Sequence, residues 1–317
     1  MSGLGTAASA STIKSMQPID ERTAMLALVL RKDARWSSIT EEVMDTGSAR
    51  TVLGKAHGDE TLFPDPPEQC PEVAEALALM NSCTRRGVQV FCFLDEQYPA
   101  RLRDIHEMPP IVFTRGRIRP DRRAIAVVGS RKASEYGLKM AYSIAAHLAS
   151  RDVTVVSGLA AGVDTAAHTA ALDTGGRTVA VIGTGINRAY PRQNQELQEA
   201  ITEHGMVISQ FLPDAPPTRQ SFPMRNAMMS GYAAATIVVE AGEHSGARIQ
   251  ARYALQHGRP LIFPRELLVN AWARDFAKRP GVYIVNDMDQ MLSTVEKRIS
   301  DAETTTADIA KTVSVAW

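Results

Sequence analysis

Short apolar runs alternate with helix-length segments over most of the chain. The runs are rich in β-branched residues and hold few polar positions, which is typical of strands buried on both faces of a sheet. Strands of this kind, separated by helices, predict a doubly wound α/β fold with a mostly parallel sheet. The predicted strands are residues 88–94, 111–114, 124–129, 153–157, 178–183, 206–211, 235–240, 260–264 and 282–285.

The segments outside this alternation predict separate regions. Residues 1–19 are small and polar without periodicity, which indicates a disordered tail. Residues 20–87 are expected to form a small helical N-terminal domain with a Pro-rich, acidic linker at 58–71. The α/β domain is expected over 88–299, followed by a C-terminal tail at 300–317.

Local signals within the N-terminal region predict where its helices begin and end. Ser38 and Glu41 have the spacing of a capping box, which marks the start of a helix. Gly47 and Gly54 are expected to end helices, because glycine readily adopts the left-handed conformation found there.

Composition mainly excludes classes of protein. The chain has 317 residues, of which 44% are hydrophobic and 22% charged, so a wholly disordered or fibrous chain is excluded. No run approaches the roughly 20 apolar residues that cross a bilayer. No secretion signal is visible, so we expect a cytoplasmic protein with no membrane partner. Three scattered cysteines favour free thiols over disulfides or a zinc site.

Charge is balanced overall but uneven along the chain. The sequence has 35 basic and 35 acidic residues, and residues 101–132 carry nine Lys or Arg against three Asp or Glu. This arginine-rich segment favours an anionic partner, and we expect it to form an electrostatic funnel with nearby loops. The alternative is an ordinary solvated face.

Glycine-bearing loops follow three of the predicted strands. Ligands of parallel sheets bind at the carboxyl ends of the strands, where glycine lets the backbone approach and a helix N-terminus attracts an anion. The loops therefore predict a phosphate site. Neither GxGxxG nor a Walker motif occurs, which argues against NAD and ATP. The candidate residues are Gly129, Ser130, Arg131, Lys132, Ser157, Gly158, Gly162, Gly183 and Gly185.

Two later segments add candidates to the same rim. Phe222, Arg225 and Asn226 open one predicted helix, and Ser245 and Gly246 begin another. An arginine and an amide suit phosphate and base contacts, and an aromatic ring offers a stacking surface. The alternative is that these residues are helix caps and a core phenylalanine.

Seven motifs follow one another along the chain, at residues 98–99, 109–113, 128–131, 157–168, 183–194, 222–226 and 245–259. In their sequence and order they resemble the DNA-processing protein A family, also called DprA or Smf. The resemblance implies an extended Rossmann-like domain that binds single-stranded DNA as a homodimer, protects incoming strands and helps load the recombinase RecA in natural transformation. It also implies phosphate contacts by Arg131, by the loops at Gly129, Gly158 and Gly162, and by Arg225 with Asn226.

The sequence also departs from the family pattern. Gln210, Ala161 and Gln250 replace residues that are common there, and residues 300–317 are too short for the C-terminal winged helix of longer members. The chain is identified as a divergent member without that winged helix. Transformation, a mobile element and phage defence all stay open as its setting.

Catalytic chemistry has little support in the sequence. Asp164 and His168 share a helical face, but we expect Asp164 to be an N-cap and His168 to be packed or hydrogen-bonded. We find no metal-ligand spacing and no nucleophile elbow, so we expect no enzyme and no cofactor. Two alternatives stay open: a nucleotide-hydrolysing phosphoribohydrolase-like enzyme, although Glu240 precedes the glycines rather than following them, and a nucleotide-sensing module.

Overall fold

The computed structural model describes residues 19–58 and 70–315. Nine strands lie close to the predicted positions, most of them one or two residues shorter than predicted. They are β1 (Gln89–Cys92), β2 (Ile111–Gly116), β3 (Ala124–Val128), β4 (Thr154–Ser157), β5 (Thr178–Val181), β6 (Met206–Ser209), β7 (Ala235–Val238), β8 (Leu261–Pro264) and β9 (Val282–Val285).

These strands form one mixed sheet in the order β1-β2-β6-β5-β4-β3-β7-β8-β9. Strands β3 to β9 pair in parallel, whereas β2 is antiparallel to both β1 and β6. The strand order reverses between β3 and β7, which places a crevice at their carboxyl ends. The predicted doubly wound, Rossmann-like α/β fold is confirmed.

Eleven helices are present in the described part of the chain. The N-terminal four are α1 (Glu21–Leu30), α2 (Trp36–Thr46), α3 (Ala49–Gly58) and α4 (Pro71–Arg85). The remainder are α5 (Glu135–Ala149), α6 (Val163–Asp173), α7 (Gln195–His204), α8 (Ser221–Tyr232), α9 (Ala247–Gln256), α10 (Ala271–Ala277) and α11 (Met288–Val315).

The central strands bury both faces, as their apolar composition requires. In β3, Ile125 and Val127 join a core formed with α5, α6 and α11, while Ala126 and Val128 join the core on the other face. Side chains alternate across a strand, so consecutive residues supply the two cores. The central strands have no solvated face, which explains why their sequences hold so few polar residues.

The N-terminal helices pack on the β1–β2 edge and share its core. Helix α1 contacts α3, α4 and both strands, and its Met25 and Leu26 are fully buried. Arg22 pairs with Asp95 at 2.8 Å and ties α1 to the loop after β1. The helical character expected for this region is confirmed.

Two of the predicted helix boundaries in this region are wrong. Gly47 ends α2 in the left-handed conformation, as expected, with a φ of 69°. Gly54, however, lies inside α3, and Ser38 lies inside α2 rather than at its cap. Helix α2 starts at Trp36 without a side-chain cap and buries Ile39 and Val43, so packing decides its start.

The tail predicted at 1–19 falls almost wholly outside the described residues, as does most of the linker at 58–71. At the other end, α11 continues to Val315, so a helix occupies most of the predicted C-terminal tail. This helix buries an apolar face against the sheet through Met291, Leu292, Val295 and Ile299.

Two further observations concern composition. Within residues 19–58 and 70–315, none of the helices has the length and apolar character of a membrane span. The three cysteines are buried thiols that are not joined by disulfides, as predicted. Burial raises the pKa of Cys83 to about 11 and that of Cys92 to about 12, so both stay protonated at neutral pH.

Candidate nucleic-acid interface

A cavity of about 710 Å³ opens at the carboxyl ends of β3 and β7, where the strand order reverses. We call it the strand-end cavity. Its walls are the loop at 129–132, the start of α6, one face of α8, and the segment 242–250, which leads into α9. This is the position at which open α/β sheets bind their ligands.

The loop after β3 is held by the two neighbouring loops. The Ser130 N–H donates to the Glu240 carbonyl oxygen at 2.6 Å, and the Ser130 carbonyl oxygen accepts from the Val163 N–H at 3.2 Å. A β-carbon on Gly129 would lie 2.8 Å from that Glu240 oxygen and would overlap Val163. The absence of a side chain at Gly129 therefore allows three loops to meet at the base of the cavity.

Helix α8 presents one continuous face to the cavity. Phe222, Arg225, Asn226 and Met229 line it, and their spacing of three, four and seven residues places them on one side of the helix. Asn226 donates to the Gly246 carbonyl oxygen at 3.5 Å, which joins α8 to the segment before α9. The helix thus supplies an aromatic ring, a guanidinium and an amide in register.

The cavity mouth carries a stack of cationic and aromatic side chains. The Arg131 guanidinium lies 5.0 Å from the centre of the Phe222 ring, and Phe222 lies 5.5 Å from the ring of Tyr190. Cation–π attraction favours the orientation in which the guanidinium lies over the ring. Arg131 and Lys132 are exposed, and within the described chain neither has a carboxylate partner.

A buried ion pair lies beneath this stack. Arg225 Nη1 lies 3.7 Å from Asp164 Oδ2, and the same nitrogen donates to the Val181 carbonyl oxygen at 3.4 Å. Burial lowers the pKa of Arg225 and raises the pKa of Asp164, while their mutual attraction opposes both shifts. Arg225 therefore connects the cavity wall to the end of β5, and its charge is partly compensated inside the protein.

The predicted site residues fall into two groups in space. The cavity is lined by Gly129, Ser130, Arg131, Lys132, Phe222, Arg225, Asn226, Ser245 and Gly246. The residues that do not line it are Ser157, Gly158, Gly162, Gly183 and Gly185.

The second group packs behind the cavity wall. Ser157 is fully buried and donates to the Val127 carbonyl oxygen at 2.7 Å. Gly162 has a φ of 82° and lies against the backbone of Ser130. A β-carbon on Gly183 would lie 2.9 Å from the Phe222 ring, and one on Gly185 would overlap the backbone carbonyls of Leu212 and Pro213. These glycines make room for neighbouring parts of the protein.

The arginine-rich segment lies mostly away from the cavity. Arg101 and Arg103 donate hydrogen bonds to backbone carbonyl oxygens, and Arg123 pairs with Glu296 at 2.8 Å. Arg123 directly precedes β3, so it lies at the amino end of the strand, whereas the cavity lies at the carboxyl end. The predicted funnel is therefore wrong for these residues. The basic residues of the segment that line the cavity are Arg131 and Lys132.

The acid and base groups considered for catalysis have structural partners. Asp164 is not the N-cap of α6, because Gly162 holds that position; its carboxylate instead accepts from the Ala160 N–H at 3.3 Å. His168 is fully buried and bonds to Thr178 at 2.7 Å, as expected. Burial lowers its pKa to about 3, so the ring is neutral at physiological pH.

The carboxylate of Glu240 is also engaged. It accepts from the Ser134 N–H at 2.9 Å and from the Ser134 hydroxyl, and it packs against Gly137 in the first turn of α5. A carboxylate at a helix N-terminus is favourably placed by the helix dipole. Across the described residues, no group of three or more His, Cys, Asp or Glu side chains is arranged to hold a metal ion.

Sequence reasoning missed several residues that line the cavity, including Met229, His244 and Gln250. The helical spacing that begins at Phe222 could have predicted that Met229 lines the cavity. Gln250 is 1% exposed, and its amide nitrogen and oxygen have no hydrogen-bond partner in the described chain. The signal in the sequence was that Gln250 replaces a common residue of the family in the motif at 245–259.

Comparison with known proteins identifies the family of this chain. A family model described as DNA recombination-mediator protein A matches residues 89–300. The chain belongs to the DNA recombination-mediator protein A family. The resemblance to the DprA/Smf family seen in the sequence is thereby confirmed, and the matched region contains the whole sheet and every residue of the strand-end cavity.

Two curated relatives show how far the similarity extends. The DNA processing protein DprA of Streptococcus pneumoniae is 40% identical over 173 residues, which cover 54% of this chain and 61% of that protein. The putative DNA processing protein DprA of Mycobacterium tuberculosis is 39% identical over 202 residues, which cover 59% of this chain and 52% of that protein. The matched stretch thus spans between about half and two thirds of these relatives.

Solved structures of DNA processing protein A share the fold. DNA processing protein A from Streptococcus pneumoniae superposes with a TM-score of 0.67 at 28% identity, covering 87% of this chain and 98% of that chain. DNA processing protein A from Helicobacter pylori superposes with a TM-score of 0.60 at 22% identity, covering 66% and 96%.

Proposed function

We propose that the strand-end cavity binds the phosphates of single-stranded DNA, and that the protein protects such strands and delivers them to a RecA-type recombinase. In this proposal the protein acts by binding, without covalent chemistry or a cofactor, as a homodimer in the cytoplasm.

The observation that carries the proposal is the exposed pair Arg131 and Lys132 at the cavity mouth. Arg131 is held over Phe222, and neither cation has a carboxylate partner in the described chain. An oriented, uncompensated guanidinium suits bidentate contact with a phosphate. The adjoining rings of Phe222 and Tyr190 offer stacking surfaces that accept any base.

The predicted site residues take two roles in this proposal. The lining group (Gly129, Ser130, Arg131, Lys132, Phe222, Arg225, Asn226, Ser245 and Gly246) contacts the strand. The packed group (Ser157, Gly158, Gly162, Gly183 and Gly185) positions the loops and α8, because its members lie behind the wall.

The relatives support the same function. The family is described as a recombination mediator, and the Helicobacter pylori structure is described as revealing a single-stranded DNA binding mode of that protein. Because the match spans only part of the curated relatives, activities that depend on their remaining segments are proposals for this chain.

The direct test is binding to a labelled single-stranded oligonucleotide, measured by fluorescence anisotropy over a range of salt concentrations. Each phosphate contact with a single strand contributes about −0.7 to the slope of log affinity against log salt. Arg131→Ala is expected to weaken binding and to make the slope shallower by about 0.7. Arg151→Ala, which removes an exposed arginine at the far end of α5, is the matched control.

Other outcomes of the same assay would favour the alternatives. An unchanged slope for Arg131→Ala would remove Arg131 from the interface. Tight binding of a single nucleotide, with no gain for longer strands, would indicate a sensing module. Release of free base from a nucleoside monophosphate would indicate a phosphoribohydrolase.

The recombinase and dimer proposals need separate measurements. If the protein is a mediator, adding it should speed RecA filament formation on a strand already covered by single-strand-binding protein. Sedimentation equilibrium should give a mass near twice that of the chain. A monomer at all concentrations, or no effect on filament formation, would contradict the respective proposal.

A further inference from the structure

A second cavity of about 410 Å³ lies beside the strand-end cavity and carries three arginines. Its lining includes Arg248 and Arg252 of α9, and Phe276 and Arg279 of the α10 region. We call it the arginine cleft. None of these residues belongs to the predicted site.

The two cavities share a wall. Glu243, His244, Ser245 and Ile249 line both of them, so the two cavities adjoin at the start of α9. Glu243 holds this wall in place, because its carboxylate accepts from the Ala271 N–H at 2.8 Å. Ser245 therefore lies at the boundary between the strand-end cavity and the arginine cleft.

The arginines of the cleft differ in their partners. Arg248 bonds to the Glu243 carbonyl oxygen and lies 3.8 Å from the Glu243 carboxylate, so these two charges largely compensate. Arg252 and Arg279 are exposed, and neither has an ion pair within the described chain. Arg252 follows Arg248 by one helical turn, which places both on the same face of α9.

The two uncompensated cations each lie beside an aromatic ring. The Arg279 guanidinium lies 4.4 Å from the centre of the Phe276 ring, and that of Arg252 lies 5.9 Å from the ring of Tyr253. This repeats the arrangement of Arg131 over Phe222 at the first cavity. Oriented guanidinium groups in a concave surface are suited to the phosphates of an extended chain.

We propose that the arginine cleft is a second phosphate subsite, through which a single DNA strand continues after it leaves the strand-end cavity. This inference rests on the proposed function. The strand would pass the shared wall at Ser245 and place later phosphates against Arg252 and Arg279. A short oligonucleotide would occupy the first cavity alone.

The test compares oligothymidines from about 4 to about 16 nucleotides, a range typical of single-strand sites. The affinity of the wild-type protein should show a second increase with length, once the strand is long enough to reach the arginine cleft. The double variant Arg252→Ala/Arg279→Ala should bind the shortest strands normally and the longest ones roughly tenfold more weakly. For the longest strands its salt slope should be shallower by about 1.4, from two lost contacts.

Two controls separate the cleft from general charge effects. Lys278→Ala removes a cation beside Arg279 that does not line the cleft and that pairs with Asp275 at 3.1 Å. Arg151→Ala removes an exposed arginine at the far end of α5. Both variants should follow the wild-type length dependence. Thermal melting of each variant shows whether it is folded.

Hydrogen exchange supplies an independent readout on the wild-type protein. Long strands, but not short ones, should protect the backbone of α9 and α10. Equal loss of affinity at all lengths for the double variant, no loss at any length, or no protection of α9 and α10 would overturn the inference. Arg131→Ala should weaken binding at every length, so failure of the proposed function gives a different pattern from failure of the second subsite.

Discussion

The Arg225 guanidinium occupies the space directly over the α-carbon of Gly158. A β-carbon on Gly158 would overlap Nη1 of Arg225, the atom that faces Asp164 and the Val181 carbonyl oxygen. The glycine after β4 is therefore needed for the side chain that lies above it. The packing of Arg225 over Gly158 also explains why this loop, which the sequence predicted to bind phosphate, is closed to solvent.

Gly158→Ala is expected to destabilise the protein by about 3–5 kcal/mol, the range for breaking a buried ion pair. The added methyl group would displace Arg225 and leave Asp164 buried without its partner. Urea unfolding measures the change. Gly242→Ala is the control, since a β-carbon there meets nothing within 4 Å, and it should have little effect. Equal stability of the two variants would contradict this account of Gly158.

The buried ring of His168 should make stability depend on pH. Burial lowers its pKa from 6.5 to about 3, so below about pH 6 the unfolded chain binds a proton that the native state does not. This group therefore lowers stability as the pH falls, by about 1.4 kcal/mol per pH unit.

The variant His168→Gln lacks this pH-dependent loss of stability. At pH 7 it should be less stable than the wild-type protein. The gap in unfolding free energy between the two proteins should narrow as the pH falls from about 6 to about 4. Urea unfolding at several pH values measures the gap. His204→Gln, at an exposed position, is the matched substitution. A gap for His168→Gln that stays constant with pH would show that the ring is not protected from protonation.

Tyr190 should contribute stacking without contributing charge. Tyr190 is 42% exposed, and its ring lies 5.5 Å from that of Phe222, which lines the cavity. Tyr190→Ala is expected to weaken single-strand binding by about 1–3 kcal/mol with no change in salt slope, because no cation is lost. Tyr190→Phe should keep the affinity.

Tyr142→Ala is the matched control for Tyr190, since Tyr142 is 40% exposed but lies on α5 and bonds to Asp173. It should leave binding unchanged. If Tyr190→Ala binds as tightly as the wild-type protein, the aromatic stack does not contact bases.

We expect the buried amide of Gln250 to lower the unfolding free energy of the protein without ligand. Its amide is buried, and neither polar atom has a partner in the described part of the chain. Gln250→Leu removes that desolvation cost at similar volume and helix propensity, and should raise the unfolding free energy by about 1 kcal/mol. Gln256→Leu, on the exposed end of the same helix, should change it by less than about 0.5 kcal/mol. A less stable Gln250→Leu protein would show that the amide has a partner, such as bound water.

The sequence alone was enough to predict the architecture and the rim of the sheet that carries the site. All nine strands were visible, and the signal of the central strands has a physical reason, because residues buried on both faces must be apolar whatever lies next to them. The order of the motifs then identified the family. Ser134 caps the N-terminus of α5 by accepting a hydrogen bond from the Gly137 N–H, a contact that is local in sequence.

The tertiary structure decided which of the candidate residues meet. Gly129, Gly158 and Gly183 all follow strands in similar local sequence, but only Gly129 lines the cavity. The space beside Gly158 is occupied by Arg225, and the space beside Gly183 by Phe222. The same holds for the arginines, since Arg131 faces the cavity and Arg101 binds backbone oxygens. Local sequence sets conformation, but the contacts of a long side chain depend on segments distant in the chain, so the arginine cleft was visible only once α9 and α10 were in place.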